Sequence, residues 1–211
     1  MSGIWELILR GGIVMIPLLL TSVLGLAVVI ERAYFLRRRR IIRPDILDLI
    51  DRIGKPEDVE KALYGLSRQE GPFLNIVRVG LQNRGRSREE MKEAIIDQGR
   101  QEARTLERGL VILETVAGIS PLLGLLGTVL GMIKVFRVIS EQGLGQTQSL
   151  SGGISMALLT TVVGLSIAIP ALVAYNYFSH KVEDLVLEIE KHSGQLLNKV
   201  VGFHEHGEGK A

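Results

Sequence analysis

The sequence predicts an all-α integral membrane protein with three transmembrane helices and long cytoplasmic helical extensions. The first observation is the segregation of charge: 23% of the 211 residues are charged, yet residues 11–30, 115–133 and 142–180 contain no Asp, Glu, Lys or Arg. The second is length, because a helix of about 20 apolar residues crosses a hydrocarbon core about 30 Å thick. The third is a mean hydropathy of +0.27, which excludes a disordered chain.

The composition excludes several classes of function. The chain has no cysteine, so thiol catalysis, disulfides and zinc fingers are ruled out. Its 25 basic residues nearly balance 23 acidic residues, which leaves no general basic surface for nucleic acid. No nucleophile–base pair or glycine-rich phosphate loop is present, and His204 and His206 make only a weak metal-binding pattern. We therefore expect no enzyme activity, no cofactor and no metal.

Residues 13–36 are predicted to form the first transmembrane helix, after an external N-terminus at residues 1–12. A cleaved signal peptide is the alternative, but it would carry its basic residues before the apolar run. Here four arginines, Arg37–Arg40, follow the run. By the positive-inside rule this end lies in the cytoplasm and the N-terminus lies outside. The arginines could also bind anionic lipid, although topology anchoring explains them without it.

Residues 37–109 are predicted to form a cytoplasmic helical domain. The stretch Arg37–Arg108 holds 17 of the 25 basic residues, and these alternate with acidic and apolar residues at helical spacing. Pro56 and Pro72 lie where first helical turns are expected to begin, because proline is tolerated there.

The end of this domain is predicted to continue into the membrane. Ser87 and Glu90 have the spacing of a helix-initiating capping box. No proline follows until Pro121, so one helix is expected to run from Ser87 through the second span. If it continued to Phe136, it would be about 75 Å long.

The rest of the chain is predicted to form four segments. Residues 110–138 form the second transmembrane helix, and residues 139–152 form an external loop. The third transmembrane helix follows at residues 153–178, and residues 179–211 form a cytoplasmic C-terminal helix with its tail. Only Lys134 and Arg137 are basic at the outer ends of the last two spans, so the charge bias favours this orientation. Glu114, at the cytoplasmic end of the second span, is either an ion exit group or an interfacial carboxylate that pairs with Arg108 or with water.

The second and third spans contain small and hydroxylated residues that are typical of helix contacts or of a wet cavity. Gly127 and Gly131 form a GxxxG pair, and a stripe of small residues in the third span includes Gly164 and Ala168. A hydroxyl in such a helix can also bond back to its own backbone. Because adjacent residues point about 100° apart, at least one of Thr160 and Thr161 should face another helix or a cavity. Pro121 and Pro170 lie inside the spans, where a kink is tolerated because neighbouring helices satisfy the freed backbone groups.

The residues of these two spans resemble a known family. The segments Leu113–Ile133 and Gly153–Leu165, with Ala168-Ile169-Pro170 and Tyr175-Asn176, are similar to the signature of the MotA/TolQ/ExbB proton-channel family, especially its ExbB-type members. The end of the first span, Glu31–Leu36, is also similar.

The resemblance implies a homopentamer of three-span subunits in the bacterial inner membrane, among membrane lipids, surrounding two copies of a single-span ExbD/TolR-type partner. Ion flow would drive that partner and, through it, an envelope component such as a TonB-type protein. By the same resemblance Thr128 and Thr161 face the pore, and the ion pathway comprises Thr128, Ser155, Met156, Thr160 and Thr161. The residues expected to pack the helices are Pro121, Gly127, Gly131, Gly164, Ala168 and Pro170.

The chain departs from the family pattern at Met156, where well-known ExbB and TolQ members carry a glutamate. With no carboxylate in the middle of either span, the proton carrier must come from elsewhere. The resemblance supplies one candidate, an aspartate in the partner's span, which the threonines would hydrate and orient. The alternative is a pentameric scaffold that positions partner proteins without conducting ions.

Overall fold

The structure, a computed structural model, describes residues 12–53, 56–66, 70–143 and 147–208. These residues form eight α-helices and no strand: α1 Met15–Phe35, α2 Arg38–Ile41, α3 Pro44–Arg52, α4 Pro56–Leu66, α5 Pro72–Gln82, α6 Arg88–Glu107, α7 Leu110–Gln142 and α8 Thr147–Glu208. The predicted external N-terminus, except residue 12, and the loop residues 144–146 lie outside the described residues, as do the side chains of His204 and His206.

The predicted starts of three helices are confirmed. Pro56 and Pro72 are the first residues of α4 and α5. At the start of α6 the Glu90 amide donates to the Ser87 hydroxyl at 3.2 Å, and the Ser87 amide donates to the Glu90 carboxylate at 3.1 Å. The hydrogen bonds that the Ser87 amide and hydroxyl donate to the Glu90 carboxylate hold the pKa of Glu90 below its usual value, because they stabilise the charged form.

The prediction of one helix from Ser87 through the second span is wrong. Helix α6 ends at Glu107, and α7 begins at Leu110. Gly109, between them, has a φ of +91°, a left-handed conformation that glycine adopts without a steric penalty. A Cβ atom on Gly109 would lie 3.0 Å from Nε of Arg32. The break is therefore fixed by a backbone conformation and by a neighbouring side chain.

Three helices are long and apolar enough to cross a membrane: α1, α7 and the stretch of α8 from Leu150 to Gly202. Only 28%, 33% and 28% of their most apolar windows are buried within the chain. Most of the apolar surface of these helices is thus left for lipid or for neighbouring subunits.

The chain divides into two compact units. The first, here called the membrane unit, combines the chain up to Arg32 with Gly109–Tyr177. A buried hydrophobic cluster at the start of α1 comprises Val14, Met15 and Leu18. The residues that pack against them come from α7 and α8 and are Leu123, Leu130, Val163 and Ile167.

The second, here called the helical unit, combines Ala33–Arg108 with Phe178–Ala211. Buried apolar side chains of α5 and α6, such as Phe73 and Met91, form its core with Leu196 of α8. The buried carboxylate of Glu102 accepts hydrogen bonds from Asn75 at 2.9 Å and Gln98 at 2.7 Å, so its burial is compensated.

Polar contacts join distant segments of the helical unit. Lys199 of α8 donates to the carbonyl oxygens of Ile50 and Asp51, each at 3.1 Å, and so caps the C-terminal end of α3. Arg38 makes a two-pronged ion pair with Glu188, in which Nε donates to Oε2 at 2.8 Å. That hydrogen bond lowers the pKa of Glu188 and raises the pKa of Arg38.

Candidate functional site

Helices α7 and α8 of the membrane unit approach until their backbones touch. A Cβ atom on Gly164 would lie 2.6 Å from the carbonyl oxygen of Ser120 and 3.1 Å from Cα of Gly124. A Cβ atom on Gly124 would lie 3.0 Å from the carbonyl oxygen of Thr160. Glycine is required at both positions because any larger residue would push the helices apart.

The predicted GxxxG pair packs against α8 of the same chain. A Cβ atom on Gly127 would overlap the side chain of Thr160. On Gly131 it would lie 2.8 Å from Cβ of Ala157 and 2.9 Å from the carbonyl oxygen of Gly153. Close contact between α7 and α8 therefore extends over several helical turns, and it brings the hydroxyls of both spans together.

Thr128, Thr160 and Thr161, here called the threonine cluster, surround the carbonyl oxygen of Gly124. The hydroxyl oxygens of Thr128 and Thr161 lie 2.9 Å apart. Thr128 lies within donating distance of that carbonyl oxygen at 3.1 Å, Thr161 at 3.3 Å and Thr160 at 3.4 Å. The expectation that Thr160 or Thr161 faces another helix is met by both residues.

The hydroxyls of Thr128 and Thr161 have three contacts within hydrogen-bond distance but carry only two hydroxyl protons between them. Each hydroxyl carries one proton, but two contacts to the Gly124 carbonyl and one between the hydroxyls are within reach. Only two of the three contacts can be hydrogen bonds at any moment. When both hydroxyls donate to the carbonyl, both oxygens keep lone pairs that can accept a proton donor. When one donates to the other, one acceptor is occupied.

Thr160, which the sequence analysis places on the ion pathway, is enclosed between the two helices. Its side chain is completely buried, and its hydroxyl donates most closely to the carbonyl oxygen of Ala157, at 2.9 Å. The reason is the contact with Gly127, which encloses Thr160 between the helices. Thr128 and Thr161 are only half-buried, so they retain surface that another molecule can reach.

The structure does not bring the side chain of Ser155 or Met156 into the threonine cluster, although the Met156 carbonyl oxygen lies 3.3 Å from the Thr160 hydroxyl. Ser155 is exposed and lines an open cavity of about 690 Å³ with Ile154, Leu158 and other α8 residues. Met156 is half-buried, and its side chain lies against Gly12, where a Cβ atom would come within 2.5 Å of the methionine methyl carbon. Met156 thus packs apolar surface at this position and brings no charge into the span.

The remaining predicted packing residues lie along the same helices. Ala168 is buried. Helices α7 and α8 continue through Pro121 and Pro170, and Pro170 lines a cavity of about 300 Å³ beside Gly25 of α1 and Ser166. This cavity lies among the three apolar helices of the membrane unit.

The role of the Gly124 carbonyl as the centre of the cluster was not predicted from the sequence. A signal was present, because Gly124 precedes Thr128 by four residues and a threonine in a helix often bonds to the carbonyl four residues earlier. What the spacing does not contain is the approach of α8, which adds two more hydroxyls to the same oxygen. Thr115 and Ser120 show the simpler behaviour and donate only within α7, at 2.7 Å in each case.

Charged groups lie only at the ends of the spans. In the membrane unit, Arg32 is buried beside Gly109 and pairs with Glu31 at 2.8 Å. Glu114 is exposed. Within the described residues there is no cluster of His, Asp or Glu that could hold a metal ion. The threonine cluster can therefore bind a proton donor, a proton acceptor or water, but it has no group of its own that titrates.

The chain is similar in sequence to proteins of a known family. A family model for the MotA/TolQ/ExbB proton channel family matches residues 68–191. The chain is 34% identical over 212 residues to the ExbB-like 3 protein of Synechocystis sp., across 96% of this chain and 97% of that protein. It is 30% identical over 214 residues to the Tol-Pal system protein TolQ of Haemophilus influenzae, across 94% and 91%. It is 40% identical over 90 residues to the biopolymer transport protein ExbB of Aquifex aeolicus, across 43% and 61%.

Proposed function

Because the chain belongs to the MotA/TolQ/ExbB proton channel family, we propose that it is the ExbB-like subunit of a motor driven by the proton-motive force in the bacterial inner membrane. Five copies would surround two copies of an ExbD/TolR-type partner with one transmembrane helix. Ion flow through this assembly would move the partner and perform work on an envelope component, with a TonB-type protein as one candidate.

The observation that carries this proposal is a hydroxyl cluster without a carboxylate. Residues 115–133 and 142–180 contain no Asp or Glu, so this chain has no group in mid-membrane that can hold a proton in transit. The hydroxyls of Thr128 and Thr161 meet at half-buried positions in the membrane unit. These two hydroxyls are suited to form hydrogen bonds with a carboxylate that another chain supplies.

The cluster can serve that carboxylate in both of its protonation states. A protonated aspartic acid of the partner donates to a threonine oxygen while both threonines donate to the Gly124 carbonyl. A deprotonated aspartate accepts from a threonine that turns its proton away from the carbonyl. The three contacts around Gly124 allow this exchange without leaving a buried group unpaired. Thr128 and Thr161 thus act by hydrating and orienting the partner's carboxylate.

The energy available is sufficient to move a closely packed helix. One charge crossing 100 mV releases about 2.3 kcal/mol, and alternative packings of transmembrane helices differ by a few kcal/mol. Two partner chains among five subunits would occupy inequivalent positions, which permits stepwise motion.

The proposal includes an orientation in the membrane. The basic residues that follow α1 support a cytoplasmic location for residues 37–109 and for the C-terminal part of α8, with the N-terminus outside. The exposed apolar faces of α1, α7 and α8 are then covered by lipid, by neighbouring subunits and by the partner.

The first test is the native mass of the purified complex, expressed alone and together with a single-span candidate partner that has an aspartate in its span. A mass of five copies plus two partner chains supports the motor. If no partner is bound in either preparation, the proposal fails and a scaffold without conduction is favoured.

The second test is partner-dependent proton uptake in vesicles. Thr161→Val removes the hydroxyl at nearly constant volume, and we expect it to lower uptake about tenfold while the complex stays assembled. Thr161→Ser keeps the hydroxyl and is the matched control. Equal uptake by the valine and serine variants would remove Thr161 from the mechanism.

A further inference from the structure

Two arginines directly after α1 are held by one aromatic ring. The guanidinium carbon of Arg40 lies 4.2 Å from the centroid of the Tyr34 ring, and that of Arg37 lies 5.5 Å from it. Arg40 also donates to the Tyr34 hydroxyl at 3.3 Å. Cation–π attraction therefore keeps two flexible cations near one point. This lowers the entropy that they would lose on binding a shared anion.

These two arginines keep most of their hydrogen-bond donors free. Arg38, from the same run, is committed to Glu188. Across the described residues, Arg37, Arg39 and Arg40 have no carboxylate within ion-pair distance, and all three side chains are exposed. A guanidinium has five N–H donors in a planar fork that fits phosphate oxygens. Arg37 and Arg40 thus offer unpaired positive charge together with unused donors.

The covalent chain places this pair at the edge of the membrane. Tyr34 is the penultimate residue of α1, an apolar helix long enough to span the bilayer, and its side chain is 55% exposed. Tyrosine at the end of a span lies at the level of the lipid headgroups. Arg37 and Arg40 follow Tyr34 by three and six residues, so their guanidinium groups are in reach of lipid phosphates on that side.

We propose that Tyr34, Arg37 and Arg40 form a binding site for the phosphate of an anionic phospholipid headgroup. Tyr34 positions the two cations, and the free guanidinium forks bind the phosphate oxygens. The inference depends on the membrane location of the chain and not on ion conduction, so either proposal can fail without the other.

A site of this kind differs measurably from a nonspecific basic patch. In a nonspecific patch each exposed arginine would contribute equally, because only its charge would count. In the proposed site Arg39 contributes less, since its guanidinium lies over no aromatic ring in the described structure. Arg39→Gln is therefore the matched control for Arg37→Gln: both remove one exposed charge from the same run.

The test measures lipid binding to the full chain in detergent by native mass spectrometry, with phosphatidylglycerol titrated against phosphatidylcholine. We expect preferential binding of phosphatidylglycerol, a loss of about fivefold in affinity for Arg37→Gln and for Arg40→Gln, and a smaller loss for Arg39→Gln. Tyr34→Leu changes no charge and should also weaken binding, whereas Tyr34→Phe keeps the ring and should largely preserve it.

Three results would overturn the proposal. One is an Arg39→Gln loss as large as that of Arg37→Gln, which would indicate a nonspecific patch. Another is unchanged phosphatidylglycerol binding in Tyr34→Leu. The third is equal binding of the two lipids together with displacement by millimolar inorganic phosphate, which would identify the ligand as a free anion and not a lipid.

Discussion

The hydroxyl oxygens of Thr128 and Thr161 lie 2.9 Å apart, on two different apolar helices. Each is also within 3.3 Å of the carbonyl oxygen of Gly124. The contact depends on the close approach at Gly124 and Gly164, where no side chain separates the backbones. The polar cluster thus depends on the packing of the small residues, and a substitution that disturbs either of them should weaken the other.

The first prediction concerns the coupling between these two threonines. In a double-mutant cycle of Thr128→Val and Thr161→Val we expect a coupling of about 0.6 kcal/mol in the free energy of unfolding, and at most about 1.7 kcal/mol. The measurement is unfolding in mixed micelles, followed by circular dichroism.

Thr115 supplies the control for this cycle. Its hydroxyl donates only to Val111 of its own helix, so Thr115→Val and Thr161→Val should be additive. Additivity of Thr128→Val with Thr161→Val as well would mean that the 2.9 Å contact has no energetic weight.

The second prediction concerns the helix contact itself. Gly164→Ala places a methyl group against the backbone of Ser120 and Gly124, neither of which can move away as a flexible side chain can. We expect a loss of about 1–3 kcal/mol in the free energy of unfolding, measured in the same micelles.

Gly118→Ala is the matched control on α7, because nothing lies within 4 Å of the added carbon. Alanine has the higher helix propensity, so this variant should be neutral or slightly more stable. A Gly164→Ala variant as stable as Gly118→Ala would show that α7 and α8 do not touch in the membrane.

The third prediction concerns the break between α6 and α7. Gly109 has a positive φ and lies against Arg32. Gly109→Ala would therefore strain the backbone and would place its Cβ atom against the Arg32 side chain. The expected loss is about 1–2 kcal/mol, visible as a lower midpoint of thermal unfolding.

Gly99, in the middle of α6, has nothing within 4 Å of an added Cβ atom, and Gly99→Ala should raise the midpoint. If Gly109→Ala raised it equally, α6 and α7 would form the single continuous helix that the sequence pattern favours.

The sequence predicted those features that depend on local chemistry. Charge-free runs indicate the three apolar helices, and the spacing of Ser87 and Glu90 indicates the start of α6, because capping involves neighbouring residues only. The break at Gly109 was missed because a glycine inside a helical pattern is compatible with continuation as well as termination.

The residues of the candidate site could be predicted from the sequence, but the distances and contacts between them could not. Thr128, Thr160 and Thr161 stand out as hydroxyls in apolar spans, but spacing along one helix does not give the register of another. That register decides that Thr160 is enclosed by Gly127 while Thr128 and Thr161 remain half-buried. The side chain of Met156 lies against Gly12, and only its backbone carbonyl reaches the cluster, 3.3 Å from the Thr160 hydroxyl.

The last prediction is a pH dependence of the contact between Arg38 and Glu188. The hydrogen bond from Arg38 lowers the pKa of Glu188 below its ordinary value of 4.5, so the folded chain holds this carboxylate charged where the unfolded chain takes up a proton. The stabilisation is therefore fully present above pH 4.5 and is lost as the pH falls through the lowered pKa. Because Arg38 is largely exposed, solvent screens the pair and we expect the contribution to be small.

The measurement is the difference in unfolding free energy between the natural chain and Glu188→Gln, at pH 7 and at decreasing pH. The difference should be present at pH 7 and should shrink in acid, because the natural chain then loses its own ion pair. Glu190→Gln, which removes an exposed carboxylate without an ion pair in the described structure, should show no such trend. A difference that stayed constant in acid would mean that Glu188 stabilises the fold by packing, and not through its charge on Arg38.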